Sequence, residues 1–235
     1  MLSGSIPSVP RDLLSLEVID FTFNHHTGHI PKDMFDHLPN LKELYWSFNL
    51  LSGRIPASLF KCKELQALSL SYNQMEGSLP IEIGNLSLLQ DISIGQNHFE
   101  GEIPKQIGNL TLLRQFDCSH NKFTGIIPHE IGNLKNLNWL NLAFNNIAGS
   151  IPPQVFNIST LSMISLDTNQ LSGHLPSNMG LFLPNMEQLY LDFNHLAGSI
   201  PMYISNASQL TLLDIVLEKF HFDSNPFISG ELPRV

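Results

Sequence analysis

Charge is scarce in this sequence, and positive charge scarcest of all. Only 14% of the 235 residues are charged, and 12 Lys and Arg stand against 21 Asp and Glu, for a formal net charge of −9. Such a balance repels nucleic-acid backbones and anionic membrane surfaces, so neither is expected as a partner. Cysteine is nearly missing too. Cys62 and Cys118 are too few for a disulfide framework. No run of about 18 apolar residues occurs, which excludes a bilayer-spanning helix in this sequence and direct membrane insertion. The opening "MLSGSIPSVPRDLL" has no basic segment leading into an apolar stretch, so no signal peptide is read there. Low charge does not mean disorder, because 43% of the residues are hydrophobic.

What the sequence does have is a period. Asn24, Asn49, Asn73, Asn97, Asn121, Asn145, Asn169 and Asn194 recur at intervals of 24 or 25 residues. Around each runs L-x-x-L-x-L-x-x-N-x-L-x-G-x-I-P with conservative exchanges. "LQALSLSYNQMEGSLP" (65–80), "LQDISIGQNHFEGEIP" (89–104), "LSMISLDTNQLSGHLP" (161–176) and "MEQLYLDFNHLAGSIP" (186–201) show it plainly. Each period reads as one turn of a solenoid: the L-x-L residues make a short strand, and successive strands stack in parallel about 4.8 Å apart. The recurring Asn stands at the bend after the strand, where its amide can pair with backbone groups that burial would otherwise orphan. Gly four residues on allows a conformation that a Cβ hinders, and the Pro after Ile fixes the extended path beyond it. Segments such as "IEIGNLSLL" and "KQIGNLTLL" supply short helical or 3-10 turns on the outer side.

This consensus resembles the plant-type leucine-rich repeat. "SGSIP", "GEIPKQIGNL", "FNISTL" and "LPSNMG" are similar to the ectodomains of plant receptor-like serine/threonine kinases, nearest to the group that includes the flagellin and elongation-factor immune receptors. The resemblance implies a right-handed α/β solenoid with a concave parallel β-sheet and short turns on the convex side. It also implies a peptide or protein ligand on the concave face, a co-receptor ectodomain as second partner, and a place on the extracellular face of the plasma membrane. Polygalacturonase-inhibiting proteins and receptor-like proteins share the repeat, so a soluble defence protein is the alternative. The family's kinase and cysteine-bearing caps are not found in this sequence, and no enzymatic activity or cofactor is expected.

The reading is of a single domain over 1–235. Leu2, Gly4, Ile6 and Pro7 fit the second half of a partial repeat at 1–15. Eight full repeats follow over about 16–209. In 210–235, "LTLLDIVLE" puts Glu218 where Asn is expected and "LEKFHFDSNPFISGELP" starts inside it, so two degenerate repeats read as fused. Solenoid ends without caps expose apolar core, so a fragment or truncated product is expected.

Reactive side chains occur in four groups. "DCSH" (117–120) puts Asp117, Ser119 and His120 along one strand, where neighbours cannot form a nucleophile–base–orienter geometry. His25, His26 and His29 cluster in sequence, but His26 falls in an apolar slot and no Cys or carboxylate completes a local tetrahedral set, so no metal is expected. Cys62 and Cys118 occupy apolar slots of different turns and read as buried free thiols. Four sequons, at Asn85, Asn109, Asn157 and Asn206, offer glycosylation if the chain enters the secretory path; Asn133 fills the same slot without a sequon.

The concave face is the sharper candidate. Strand alternation points the columns Val18-Glu43-Ala67-Asp91-Gln115-Trp139-Met163-Gln188-Leu212 and Asp20-Tyr45-Ser69-Ser93-Asp117-Asn141-Ser165-Tyr190-Asp214 outward. A third runs Thr22, Ser47, Ser71, Gly95, Ser119, Ala143, Asp167 and Asp192. These columns do not repeat, and their charges are acidic. Trp139 with Gln115, Asp117, Asn141, Met163, Ser165, Gln188 and Tyr190 makes the best single patch for a ligand. The residues just before the ladder asparagines, Phe23, Phe48, Tyr72, Gln96, His120, Phe144, Thr168 and Phe193, recur with the repeat and read as packing at the strand edge.

Overall fold

Each period opens with a strand three residues long, because only the L-x-L stretch alternates before the bend at Asn interrupts it. A computed structural model describes residues 2–7 and 13–215. Glu218 and the fused repeat at 217–233 lie outside these residues. Nine strands, from Val18–Asp20 to Leu212–Asp214, form one parallel sheet in which each pairs with the strand of the next period. Among the described residues no strand is crossed over, as expected of a solenoid in which each turn touches only its neighbours. The alternation works as the pattern demands. Leu44, Leu68, Ile92, Phe116, Leu140 and Ile164 lie fully inside, and so do Trp46, Leu70, Ile94, Cys118, Leu142 and Leu166 two residues on.

A second parallel sheet, not read from the sequence, follows the bend. Strands Ser3–Ser5, His25–His29, Leu50–Gly53, Gln74–Gly77, His98–Glu102 and Lys122–Thr124 pair in order. A bridge from Ile126 to Ala148 leads on to three more strands, Ala148–Gly149, Gln170–His174 and His195–Ala197. The backbone that leaves the Asn bend is extended before its Gly, so it too meets the neighbouring turn at strand spacing. The sheet carries one inward side chain per turn, among them Met75, Phe99, Phe123 and Leu171.

The outer turns are 3-10 rather than α. Ala57–Lys61, Ile81–Asn85, Lys105–Asn109 and His129–Asn133 each follow a proline whose φ lies between −66° and −71°. They stack closely: a Cβ on Gly108 would lie 2.5 Å from the Glu130 carbonyl oxygen. Only glycine admits that approach.

The asparagine ladder joins the turns. Asn145 Nδ2 donates to the carbonyls of Leu142 and Ala143 in its own turn and of Cys118 in the preceding one, at 3.1–3.2 Å. Its Oδ1 accepts the Phe123 N–H at 2.9 Å. Asn49, Asn73, Asn97, Asn121 and Asn169 repeat this set. Asn24 accepts from Leu2 N–H, and Asn194 from Leu171 N–H. Each amide thereby fills backbone valences that burial would leave empty.

Candidate functional site

The nine-stranded sheet brings the eight predicted ligand-facing residues together on four adjacent strands. Gln115, Trp139, Met163 and Gln188 stand in one register row, and Asp117, Asn141, Ser165 and Tyr190 in the next. Trp139 is 40% exposed. Gln115 is exposed, and Asp117, Asn141, Gln188 and Tyr190 are half-buried. Two members depart from the expectation of display: Met163 and Ser165 are buried, at 6% and 8% exposure. Met163 stands between Trp139 and Gln188 of the same row, whose long side chains flank it at strand spacing. The Ser165 hydroxyl is spent on Asp167 Oδ1, at 2.5 Å.

Two polar members are tied to backbone before any ligand arrives. Asp117 Oδ1 accepts the Ser119 N–H at 3.0 Å and Asn141 Oδ1 the Ala143 N–H at 3.2 Å. Each side chain turns onto backbone two residues ahead, which holds it to one rotamer and limits the ordering cost of binding. Near the N-terminal end, Ser47 and Ser69 share a hydrogen bond of 2.7 Å, and Ser71 and Ser93 one of 2.9 Å.

The three columns hold seven carboxylates, Asp20, Glu43, Asp91, Asp117, Asp167, Asp192 and Asp214, and no Lys or Arg. Burial pushes the Asp91 carboxyl up from the ordinary carboxylate range, with Arg114 pulling the other way. Asp192 is pushed up by burial and by the charges of Asp214 and Asp167. Asp20 is held low by its hydrogen bonds to Thr22. The face therefore gathers net negative charge, which Arg114 offsets in part at Asp91.

Other candidates are dispersed by the fold. Strand alternation puts His26 inside, against the Phe21 ring, and leaves His25 and His29 outside. His120 stacks its ring on Phe144, at 4.0 Å. Cys62 and Cys118 are buried and free; burial pushes the Cys62 thiol up to about 11 and that of Cys118 well above the ordinary value. The sequon residues Asn85, Asn109, Asn157 and Asn206 all end 3-10 turns on the outer side and are exposed.

The aromatic column is more than edge packing. Its residues take φ of 49° to 58°; most of their rings stack on one another, and they remain open to solvent. Phe23 stacks on Phe48 at 4.2 Å and Phe48 on Tyr72 at 4.3 Å, yet the three are 63%, 39% and 48% exposed. The signal available in the sequence was the recurrence of rings before Asn, but recurrence alone does not separate an exposed stack from a buried one.

Residues 40–62, 64–86, 112–134 and 136–158 match the family described as Leucine Rich Repeat. No curated protein matches the sequence. Among solved structures, the chain is similar to the plant peptide hormone receptor RGFR1 in complex with RGF2, at 38% identity over 91% of this chain and 34% of that one, with a TM-score of 0.86. It is also similar to the Arabidopsis receptor kinase HAESA in complex with the peptide hormone IDA and the co-receptor SERK1, at 33% identity over 93% and 36%, with a TM-score of 0.88. A third is the ectodomain of the Arabidopsis thaliana receptor kinase GASSHO1/SCHENGEN3, at 35% identity over 94% and 29%, with a TM-score of 0.73. The chain spans about a third of the length of these receptors' chains. With its Asn ladder, parallel sheet and 3-10 outer turns, the chain is a leucine-rich-repeat solenoid of the plant type, similar in sequence and fold to plant receptor-kinase ectodomains.

Proposed function

We propose that the chain is part of the ligand-sensing extracellular region of a plant receptor-like kinase and binds an extended peptide or protein segment along its concave face. The observation that carries this reading is the division of labour among the columns. Buried positions and the Asn ladder repeat along the whole solenoid, whereas the outward columns vary along it and keep a residue over two strands at most, as at Ser69 and Ser93 or Asp167 and Asp192. At their centre stands an exposed Trp139, the residue type that most often anchors an interface. Asp117 and Asn141, held by their own backbone beside it, suit a ligand that supplies the flexibility.

The electrostatics choose the ligand's sign. An acidic face without bases suits a peptide that carries cationic groups. RGFR1 and HAESA hold peptide ligands in their structures, and HAESA holds a co-receptor as well; a co-receptor ectodomain is the second partner proposed here. One repeat domain over 1–235 and glycans on the exposed sequon residues of the outer side complete the reading, and leave the inner face open. The reading is tested by selecting binding peptides from a displayed random library and comparing their affinities for the chain and for Trp139→Ala. Loss of more than about 1 kcal/mol, with the melting temperature retained, is expected; unchanged affinities refute the patch.

A further inference from the structure

A bulky side chain at positive φ is strained and persists where the surroundings compensate it. Ring stacking offers that compensation along the aromatic column. It does so for Phe23, Phe48 and Tyr72, and for His120 with Phe144. Phe193 is the exception: at φ 49° it is 70% exposed and has no ring partner among the described residues.

The reason is the rung before it. Thr168, at φ 53°, stands between Phe144 and Phe193 and carries no planar group. The other rung without a ring, Gln96, has a planar amide of its own. Occupied neighbouring rungs hold their rings 4.0–4.3 Å apart, so the two steps from Phe144 to Phe193 leave room for one planar group between the rings. The slot opens at the edge of the concave face. Asp167 and Asp192 immediately precede Thr168 and Phe193, and Asp192 interacts unfavourably with the charges of Asp214 and Asp167. A planar cation answers all of these features at once.

We propose that the slot at Thr168 binds an arginine guanidinium of the bound peptide, sandwiched between Phe144 and Phe193 and neutralising Asp167 and Asp192. A guanidinium is flat, stacks on aromatic faces and hydrogen-bonds carboxylates from its edge. A lysine ammonium supplies the charge without the plane, and an aliphatic side chain supplies neither. The proposal rests on the concave-face reading, since the arginine belongs to that ligand.

The test titrates the whole chain, with phenylalanine rings labelled for NMR, with N-acetyl-arginine amide, N-acetyl-lysine amide and N-acetyl-leucine amide. The arginine compound is expected to shift the Phe144 and Phe193 ring signals and to bind about fivefold tighter than the lysine compound. Thr168→Phe closes the slot and abolishes the shifts. It is expected to fold, because phenylalanine already occupies this position at the same φ in four other turns. If it does not fold, Phe193→Leu reads the same loss. Equal shifts from the leucine compound, or shifts retained in Thr168→Phe or Phe193→Leu, overturn the slot. Trp139→Ala is expected to leave the titration unchanged. Failure of the slot with Trp139-dependent peptide capture intact therefore sinks only the arginine subsite, and loss of both sinks the concave-face reading itself.

Discussion

Asn145→Leu tests the claim that the ladder holds the solenoid together. The wild-type amide makes four hydrogen bonds, three from Nδ2 to the carbonyls of Cys118, Leu142 and Ala143 and one to Oδ1 from the Phe123 N–H. Leucine is close in volume, so it opens no large cavity, but it orphans the Phe123 N–H. It also removes one of two hydrogen bonds from each carbonyl: Cys118 keeps Asn121 Nδ2, Leu142 keeps Asn169 Nδ2 and Ala143 keeps the His120 N–H. The Phe123 residue is fully buried, and no water reaches its amide. A buried unpaired group costs about 1–3 kcal/mol, and carbonyls keep a second lone pair through which part of their loss is recovered. One orphaned N–H and three weakened carbonyls put the expected loss at about 3–5 kcal/mol, a large share of the about 5–15 kcal/mol that stabilises a typical domain. Two measurements check it: the urea midpoint followed by tryptophan emission, and native-state hydrogen exchange at Phe123. The midpoint is expected to fall and the Phe123 amide to exchange faster by several orders of magnitude, with distant turns affected less. An unchanged midpoint together with wild-type protection at Phe123 refutes the ladder argument.

Gly108→Ala is expected to lower the melting temperature, because its methyl meets the Glu130 carbonyl oxygen at 2.5 Å and the Glu130 Cβ at 2.6 Å; a cost of about 1–3 kcal/mol follows from overpacking. Neither Cys62 nor Cys118 is expected to react with a disulfide reagent at pH 8 in the folded chain, since burial raises both thiols and the thiolate is the reactive form; both titrate on unfolding in urea. Asp192 is pushed above its ordinary value by burial, Asp214 and Asp167, so the folded state takes up its proton more readily than the unfolded one. Its charged form opposes folding at neutral pH, and that penalty disappears as pH falls through the raised folded value toward the ordinary carboxylate range. Asp192→Asn is accordingly expected to raise the melting temperature at pH 7 and to lose that advantage below about pH 4.

The fold was legible because its determinants are periodic. Leu140, Leu142, Asn145 and Ile147 state the same strand, bend and inward turn that seven other periods state, so chance is averaged out. The second sheet was not legible. It is set by backbone that happens to reach strand spacing after the Asn bend, in residues such as Glu76 and Glu100 whose side chains carry no strand preference. The site was legible in its columns, since alternation fixes which side chains point outward, but not in its depth. Met163 and Ser165 point to the concave side and are still covered, because exposure there depends on neighbours one strand away that lie 24 or 25 residues distant in sequence. The stacked rings at positive φ were legible as a recurrence only. Whether they faced core or water depended on a left-handed backbone that a phenylalanine does not announce.

Trp46 is fully buried and Trp139 is 40% exposed, so the chain carries one tryptophan on its concave face and one in its core. The most direct measurement of the central claim is therefore the emission of Trp139, isolated in Trp46→Phe, while selected peptide ligands are titrated in. Concave-face recognition predicts a saturable blue shift with the same midpoint as binding, absent when Trp139 is replaced. Ligands that bind at full affinity without moving the Trp139 emission, and that protect the outer 3-10 turns instead, would contradict it.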